Sequence, residues 1–134
     1  PHAGDWRTAQ SEQAGLALNI PLSAVAASAH SGKATPTLSV SPTANVVAGA
    51  LKHADNGKGY ILRLFETQGR NTPVRLTFDR PVQVAETNLL EQPIKKHQIT
   101  THGKVVTFQI GHDQIVTLHI MGLPDAAKTL QAKL

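Results

Sequence analysis

The sequence predicts an all-β fold, an antiparallel β-sandwich preceded by an N-terminal arm that contains a short helix. Three observations support this prediction. Short apolar segments of strand length recur between residues 37 and 122, with turn residues roughly every 8–12 positions, as is typical of sandwiches. Two of these segments form a clear hairpin, and no long amphipathic helix interrupts the series.

The hairpin joins NVVAGALKHAD, residues 45–55, to GYILRLFETQG, residues 59–69. Between them lie Asp55, Asn56 and Gly57, residue types that tolerate the positive φ angles of tight connections. Apolar and polar residues barely alternate in either segment. Both strands are therefore predicted to be central strands, buried on two faces, with the later strands pairing or packing around them.

The other strands show the alternation of apolar and polar residues that indicates one buried face. They are expected at residues 38–40, 74–78, 82–86, 106–110 and 116–120. The connection from Leu89 to Gly103 is polar, with a short strand expected around Ile99. Turns are expected at residues 79–81 and 111–113.

Three parts are predicted along the chain: an arm at residues 1–36, the sandwich at 37–122 and a tail at 123–134. Residues 22–37 are rich in Ala, Ser, Thr and Pro without a period, and are expected to be extended. The tail is expected to form a short helix capped by Asp125.

The helix of the arm is expected to begin near Trp6 or Arg7 and to extend to Asn19. Asp5 precedes it, and an Asp side chain at this position accepts backbone N–H bonds of the first turn.

Composition excludes several classes of function. The 134 residues, 40% hydrophobic and 16% charged, suit one globular domain with a substantial core. No apolar run approaches the roughly 18 residues of a membrane helix, so no membrane partner is expected. The net charge of +4 is dispersed and aromatics make up 4%, so the chain lacks the basic patch and the stacking platform of nucleic-acid binding proteins. Without cysteine there is no thiol chemistry.

No motif carries a self-sufficient active site, and we assign no catalytic, cofactor-binding or metal-ligating residue. The seven histidines have no metal-ligand spacing; they are His2, His30, His53, His97, His102, His112 and His119. Of these, His97, His102 and His112 are expected in loops, and His119 on a strand face that points to solvent or to another chain.

The carboxylates also have ordinary explanations. Glycosidases need two carboxylates about 5–9 Å apart, but Asp55, Asp79 and Asp113 fall in predicted turns, where Asp bonds its own backbone. The sequence has no G-x-S-x-G elbow and no glycine-rich phosphate loop.

Arg63 places a positive charge inside an otherwise apolar strand, and a buried cation needs a partner. Because Glu66 lies on the opposite face of that strand, we predict a cross-strand pair with Glu86, made by Arg63 or by Arg75.

Five motifs follow one another along the chain: PHAGDWR at residues 1–7, ALNIPL at 17–22, NVVAGALKHAD, GYILRLFETQG and ETNLLEQP at 86–93. In this order they resemble the C-terminal end of α-mannosidases of glycoside hydrolase family 38. The resemblance covers nearly the whole chain and is poorest at residues 23–36 and after Leu123.

The resemblance implies that the chain is the C-terminal accessory β-sandwich of a zinc-dependent retaining α-mannosidase, which hydrolyses terminal α-mannosides. Enzymes of that family hold zinc with two His and two Asp and use a nucleophilic Asp, all upstream of the portion seen here. No position of this chain matches those motifs, so the chain itself is expected to be structural and inactive, with zinc only in the parent enzyme. Pro1 in place of a starting methionine fits a piece of a longer protein.

The implied partners are the preceding domains of the parent, its mannoside substrate and further copies of the chain. Two positions stay open for Trp6: a seam between domains, or a place on the sandwich. Bacterial relatives are mostly cytoplasmic, but the sequence itself leaves the compartment open. The alternative function is an independent carbohydrate-binding module. The few aromatic residues argue against this alternative, because most of them occupy core positions of the predicted strands.

Overall fold

The computed structural model describes residues 3–20 and 37–124. The chain divides into two compact units, Pro1–Thr35 and Pro36–Leu134. The extended arm expected at residues 22–37 lies almost entirely outside the described residues, and the helix expected after Asp125 lies wholly outside them.

The first unit contains helix α1, Ser11–Asn19. The predicted start near Trp6 is wrong by more than one turn of helix, because Gln10 adopts a φ of 52° and separates a preceding turn from the helix. The Asp5 carboxylate does accept a backbone bond, from the N–H of Thr8 at 2.8 Å, but it caps that turn. Within the described residues, no helix has the length and apolar character needed to cross a membrane.

The second unit consists of two four-stranded antiparallel sheets, which confirms the predicted all-β sandwich. The strands are β1 Leu38–Ser41, β2 Val46–His53, β3 Tyr60–Glu66, β4 Thr72–Phe78, β5 Gln83–Thr87, β6 Thr100–His102, β7 Val105–Ile110 and β8 Ile115–Met121. Sheet A has the order β1-β4-β7-β6, and sheet B has the order β2-β3-β8-β5.

The core lies between the sheets and is built by every second side chain of the inner strands. In β4 the residues alternate strictly between buried and exposed from Thr72 to Phe78. Leu62, Leu64 and Leu118 of sheet B are completely buried in the same cluster. Burying each such side chain contributes about 1.5–3 kcal/mol, so this alternation is the main source of the sandwich's stability.

The predicted hairpin is confirmed, with β2 and β3 paired from Val46–Glu66 to His53–Tyr60. Burial on two faces suits β3, which lies between β2 and β8, but is wrong for β2, an edge strand that is mostly exposed after Val46. A bulge at Gly49 shifts the register by one residue. Such a shift moves the following side chains to the other face, so the apolar run in β2 fails to alternate without being buried.

Candidate functional site

The connection between β5 and β6 begins with a compact loop built around Asn88. Its Oδ1 accepts the N–H groups of Leu90 and Gln92, both at 2.9 Å, and its Nδ2 donates to the Gln92 side chain at 3.0 Å. An Asn side chain can replace a backbone turn in this way. The loop therefore closes on itself and leaves Leu89 and Leu90 exposed.

Glu91 ties this loop to the β2–β3 hairpin. Its Oε1 lies 2.5 Å from Lys52 Nζ, and its Oε2 accepts the N–H of Asp55 at 2.7 Å. The hydrogen bond from Lys52 is the main cause of a lowered pKa of the Glu91 carboxyl group. Because β5 and β2 are opposite edges of sheet B, these contacts show that the loop crosses the outer face of that sheet.

Glu86 holds the other end of the connection. Its side chain is buried, and Oε2 accepts the N–H groups of Lys96 and His97, both at 2.8 Å, while Oε1 lies 2.5 Å from His97 Nδ1. Burial by itself raises the pKa of Glu86, but the bonds from His97 and Lys96 outweigh it, and the net shift is downward. Glu86 is therefore held as a carboxylate.

The His97 ring is held on its other side by Gln114. His97 Nε2 lies 2.9 Å from Gln114 Oε1, and the same oxygen accepts the N–H of Gly111 at 2.7 Å. That N–H donor identifies the atom as the amide oxygen. Both ring nitrogens thus face side-chain oxygen atoms, which fixes the orientation of the ring.

The predicted pairs of Glu86 with Arg63 and with Arg75 are wrong. Glu86 is opposite Leu118 and shares the inner face of sheet B with it, whereas Arg63 is opposite Thr117 on the outer face. Arg75 belongs to sheet A and is exposed. Strand alternation therefore keeps both arginines away from this carboxylate.

The histidines expected in loops have different outcomes. His97 lies in the β5–β6 connection and His112 in the β7–β8 turn, as predicted, but His102 is the last residue of β6. His119 faces away from the core as expected, and its Nε2 lies 2.6 Å from the carbonyl oxygen of Lys58. In the parts of the chain that the structure describes, no three His, Asp or Glu residues form a group that could hold a metal ion.

A second buried carboxylate, Glu66, fastens one end of the sandwich. It accepts hydrogen bonds at 2.8–3.0 Å from five groups: the Asn45 amide and the backbone N–H groups of Gln68, Gly69, Arg70 and Asp113. Burial raises the pKa of Glu66, but these donors reverse the shift and lower it to about 2. This carboxylate joins the loops after β3 and after β7.

Sequence reasoning placed both carboxylates at strand ends without recognising that they are buried. A signal was present, because Glu66 follows Leu62 and Leu64 at intervals of two, and Glu86 follows Val84. On a strand this spacing puts the carboxylate on the core face.

Two surface grooves meet at His97 and Gln98. One, of about 730 Å³, has Arg75, Lys96 and polar side chains in its lining; the other, of about 610 Å³, has Ile94 and other apolar side chains in its lining. The aromatic Tyr60 lies elsewhere, stacked on His53 with ring centroids 4.5 Å apart.

A comparison with known families gives one match. The model described as the glycosyl hydrolases family 38 C-terminal beta sandwich domain matches residues 45–118, more than half of the chain. These residues include Glu66, Glu86, His97 and Gln114. No curated protein and no solved structure was found to match.

Proposed function

Because the chain belongs to the family of glycosyl hydrolase family 38 C-terminal β-sandwich domains, we propose that it is the accessory domain of a zinc-dependent retaining α-mannosidase. The parent enzyme hydrolyses terminal α-mannosides, and this domain has a structural role without catalytic residues of its own. Its partners are the preceding domains of the parent, and the mannoside binds to the parent.

The ionisation of the carboxyl groups is the observation that supports a structural role. The general acid of a glycosidase needs a raised pKa so that it is protonated near neutral pH. In the described residues, every carboxyl group with a resolved shift has a lowered pKa; these groups are Asp5, Asp55, Glu66, Asp79, Glu86 and Glu91. Such groups are held ionised by hydrogen bonds, and three of them, Glu66, Glu86 and Glu91, anchor loops.

The described residues also do not fit a zinc site, since no three possible ligands come together there. We therefore assign zinc binding to the preceding portion of the parent enzyme and derive no catalytic step in this domain.

The proposal is tested by incubating the purified chain with a chromogenic α-mannoside, with and without added zinc. An α-mannosidase of known activity under the same conditions serves as the control. We expect no release of chromophore above the uncatalysed rate. Zinc-dependent turnover that a chelator abolishes would show that the domain contains its own active site and would refute the structural role.

The alternative, an independent carbohydrate-binding module, has one supporting observation. The groove of about 730 Å³ has Gln98, Thr100 and Gln109 in its lining, and their side chains can bond to sugar hydroxyls. Titrating the chain with mannose and following the backbone amide signals by NMR tests this function. Shifts confined to the groove would favour a binding module.

A further inference from the structure

The connection between β2 and β3 contains the dipeptide Asn56–Gly57, and both of its residues are exposed. In an Asn–Gly dipeptide the backbone nitrogen of the glycine can attack the side-chain carbonyl carbon of the asparagine. The two atoms belong to neighbouring residues and close an unstrained five-membered ring, and the glycine has no Cβ to hinder the approach. The dipeptide is therefore a candidate for spontaneous covalent modification.

The residue after each asparagine distinguishes Asn56 from the rest of the chain. Of the five asparagines, only Asn56 is followed by glycine; the residues that follow the other four are all branched: Ile20, Val46, Thr72 and Leu89. A branched side chain on the attacking residue crowds its nitrogen. A Cβ built on Gly57, by contrast, would have no heavy atom of the described residues within 4 Å apart from its chain neighbours. The Gly57 nitrogen is therefore sterically open.

The Asn56 side chain is folded back over the residues that follow it. Its Oδ1 accepts the N–H of Lys58 at 2.9 Å, a local bond by which asparagine commonly stabilises a turn. This bond closes a ring that contains the Gly57 nitrogen. When a nucleophile adds to the amide carbon, negative charge develops on Oδ1, and a donor already in place stabilises that charge. The contact with Lys58 thus favours the addition.

One contact opposes the reaction. Gly57 N–H donates to the carbonyl oxygen of Ala54 at 2.9 Å. The nitrogen must give up this bond and its proton before it attacks, so the folded chain reacts more slowly than the same sequence when it is unfolded. The bond lies in an exposed connection, where local opening requires little free energy. The fold therefore slows the reaction without preventing it.

We propose that Asn56 is a site of spontaneous modification, which converts it to aspartate and isoaspartate through a succinimide formed with Gly57. The Gly57 nitrogen loses its proton to solvent and bonds to Asn56 Cγ, and the bond from Cγ to the side-chain nitrogen breaks with release of ammonia. Water then opens the ring. Hydrolysis at Cγ gives aspartate, and hydrolysis at the backbone carbonyl carbon gives isoaspartate, whose main chain runs through Cβ and Cγ. Neither step oxidises or reduces the chain.

The product weakens the end of the hairpin that holds the loop around Asn88, the Asn88 loop. A new carboxylate stands beside Asp55, whose N–H donates to Glu91 Oε2 of that loop at 2.7 Å. The isoaspartyl form also lengthens the main chain between Ala54 and Gly59, where the N–H of the first donates to the carbonyl oxygen of the second at 3.1 Å. Modification therefore lowers the melting temperature of the chain.

The test incubates the folded chain at mildly alkaline pH in water labelled with heavy oxygen. Trypsin then releases Asn56 in the peptide HADNGK, residues 53–58, and mass spectrometry detects the exchange of NH2 for a labelled OH. The label excludes modification during digestion. Asn71, in the peptide NTPVR, residues 71–75, is the internal control: it is exposed and its Oδ1 accepts the N–H of His112 at 3.2 Å, but Thr72 follows it. We expect label at Asn56 and none at Asn71.

Two variants isolate the chemistry. Asn56→Gln should lose the label, because its longer side chain closes the smaller ring no more. Gly57→Ala should slow the labelling about tenfold, which corresponds to a barrier about 1.4 kcal/mol higher. Urea should accelerate the labelling of the unsubstituted chain, because it breaks the bond from Gly57 to Ala54.

Three results would overturn the proposal. Label at Asn56 that appears only in urea would show that the fold protects the site completely. Equal labelling of Asn56 and Asn71 would show that exposure, rather than Gly57, controls the reaction. A modified fraction, separated by cation exchange, that melts at the temperature of the unmodified chain would show that the product does not weaken the hairpin.

Discussion

The carboxylate of Glu86 holds His97 by both its ring and its backbone, with Oε1 2.5 Å from Nδ1 and Oε2 2.8 Å from the backbone nitrogen. The two residues are 11 positions apart. Together with the bond from Ile94 N–H to the carbonyl oxygen of Glu86, at 3.0 Å, they close the connection that carries the Asn88 loop. The position of that loop on sheet B therefore depends on one buried, hydrogen-bonded pair of side chains.

His97→Ala is expected to destabilise the chain by about 1–3 kcal/mol, because Glu86 and Gln114 each lose a hydrogen-bond partner in a buried place. Urea denaturation monitored by circular dichroism measures the change. His112→Ala is the control: its side chain is 73% exposed in a turn, and the expected change is within about 0.5 kcal/mol. Equal effects of the two substitutions would contradict a structural role for the Glu86–His97 pair.

The lowered pKa of Glu66 predicts that the chain loses stability in acid. Its pKa is about 2 in the folded chain and about 4.5 when unperturbed, so below pH 4.5 the unfolded state takes up the proton first. The contribution of Glu66, roughly 3 kcal/mol, is complete above pH 4.5 and is lost as the pH falls toward 2. The difference in unfolding free energy between the wild type and Glu66→Gln, measured from pH 7 to pH 2, should shrink across this window.

Asp79→Asn provides the control for this pH series, because Asp79 pairs with Arg80 at the surface and does not join separate loops. Its stability should follow that of the wild type closely. A difference between wild type and Glu66→Gln that stays constant down to pH 2 would show that the Glu66 carboxylate is not preferentially ionised in the folded state.

The strands could be predicted because the apolar period of two is a local property of the sequence. The regular alternation of Val74, Leu76 and Phe78 became β4 as expected. The prediction that β2 is buried on two faces was wrong because of a bulge at Gly49. The ring of Phe65 leaves little room for a side chain there, since a Cβ added to Gly49 would lie 2.8 Å from Phe65 Cε1. A residue 16 positions away thus shapes a feature that no local pattern shows.

The candidate site was less accessible to sequence reasoning. The burial of Glu86 could be predicted from its position in the alternating pattern of β5. Its pairing with His97 could not, because His97 is brought back to Glu86 only by the turn at Asn88 and by the bonds to Glu86 itself. Gln114, which completes the cluster, lies on the far side of two more strands. Arg63 was selected as a buried cation but is only half-buried, and the wrong partner was assigned to it because the face of β5 that carries Glu86 was not considered.

Two glycines of the β2–β3 connection provide a matched pair. Gly59 has a φ of +76°, and a Cβ there would lie 2.4 Å from the carbonyl oxygen of Ile120, in the neighbouring strand; Gly57 has a φ of +72° with no atom within 4 Å. Both substitutions to Ala cost about 1 kcal/mol of backbone strain, but only Gly59→Ala also displaces β8. We expect it to lower the melting temperature markedly more than Gly57→Ala. Equal losses would mean that β3 and β8 separate easily at this end.

Trp6 is the single tryptophan of the chain, so its fluorescence reports on the arm alone. The indole is 39% exposed, and the Arg7 guanidinium lies 4.2 Å from its ring centroid. If another domain of the parent covers the Trp6 ring, fluorescence emission from the isolated chain should have the long wavelength of a hydrated indole, and iodide should quench it efficiently. Arg7→Gln should leave the wavelength unchanged, because it removes the cation above the ring without burying the ring. Strongly blue-shifted, unquenched emission would instead show that the ring is already buried within this chain, which contradicts a position in a seam between domains.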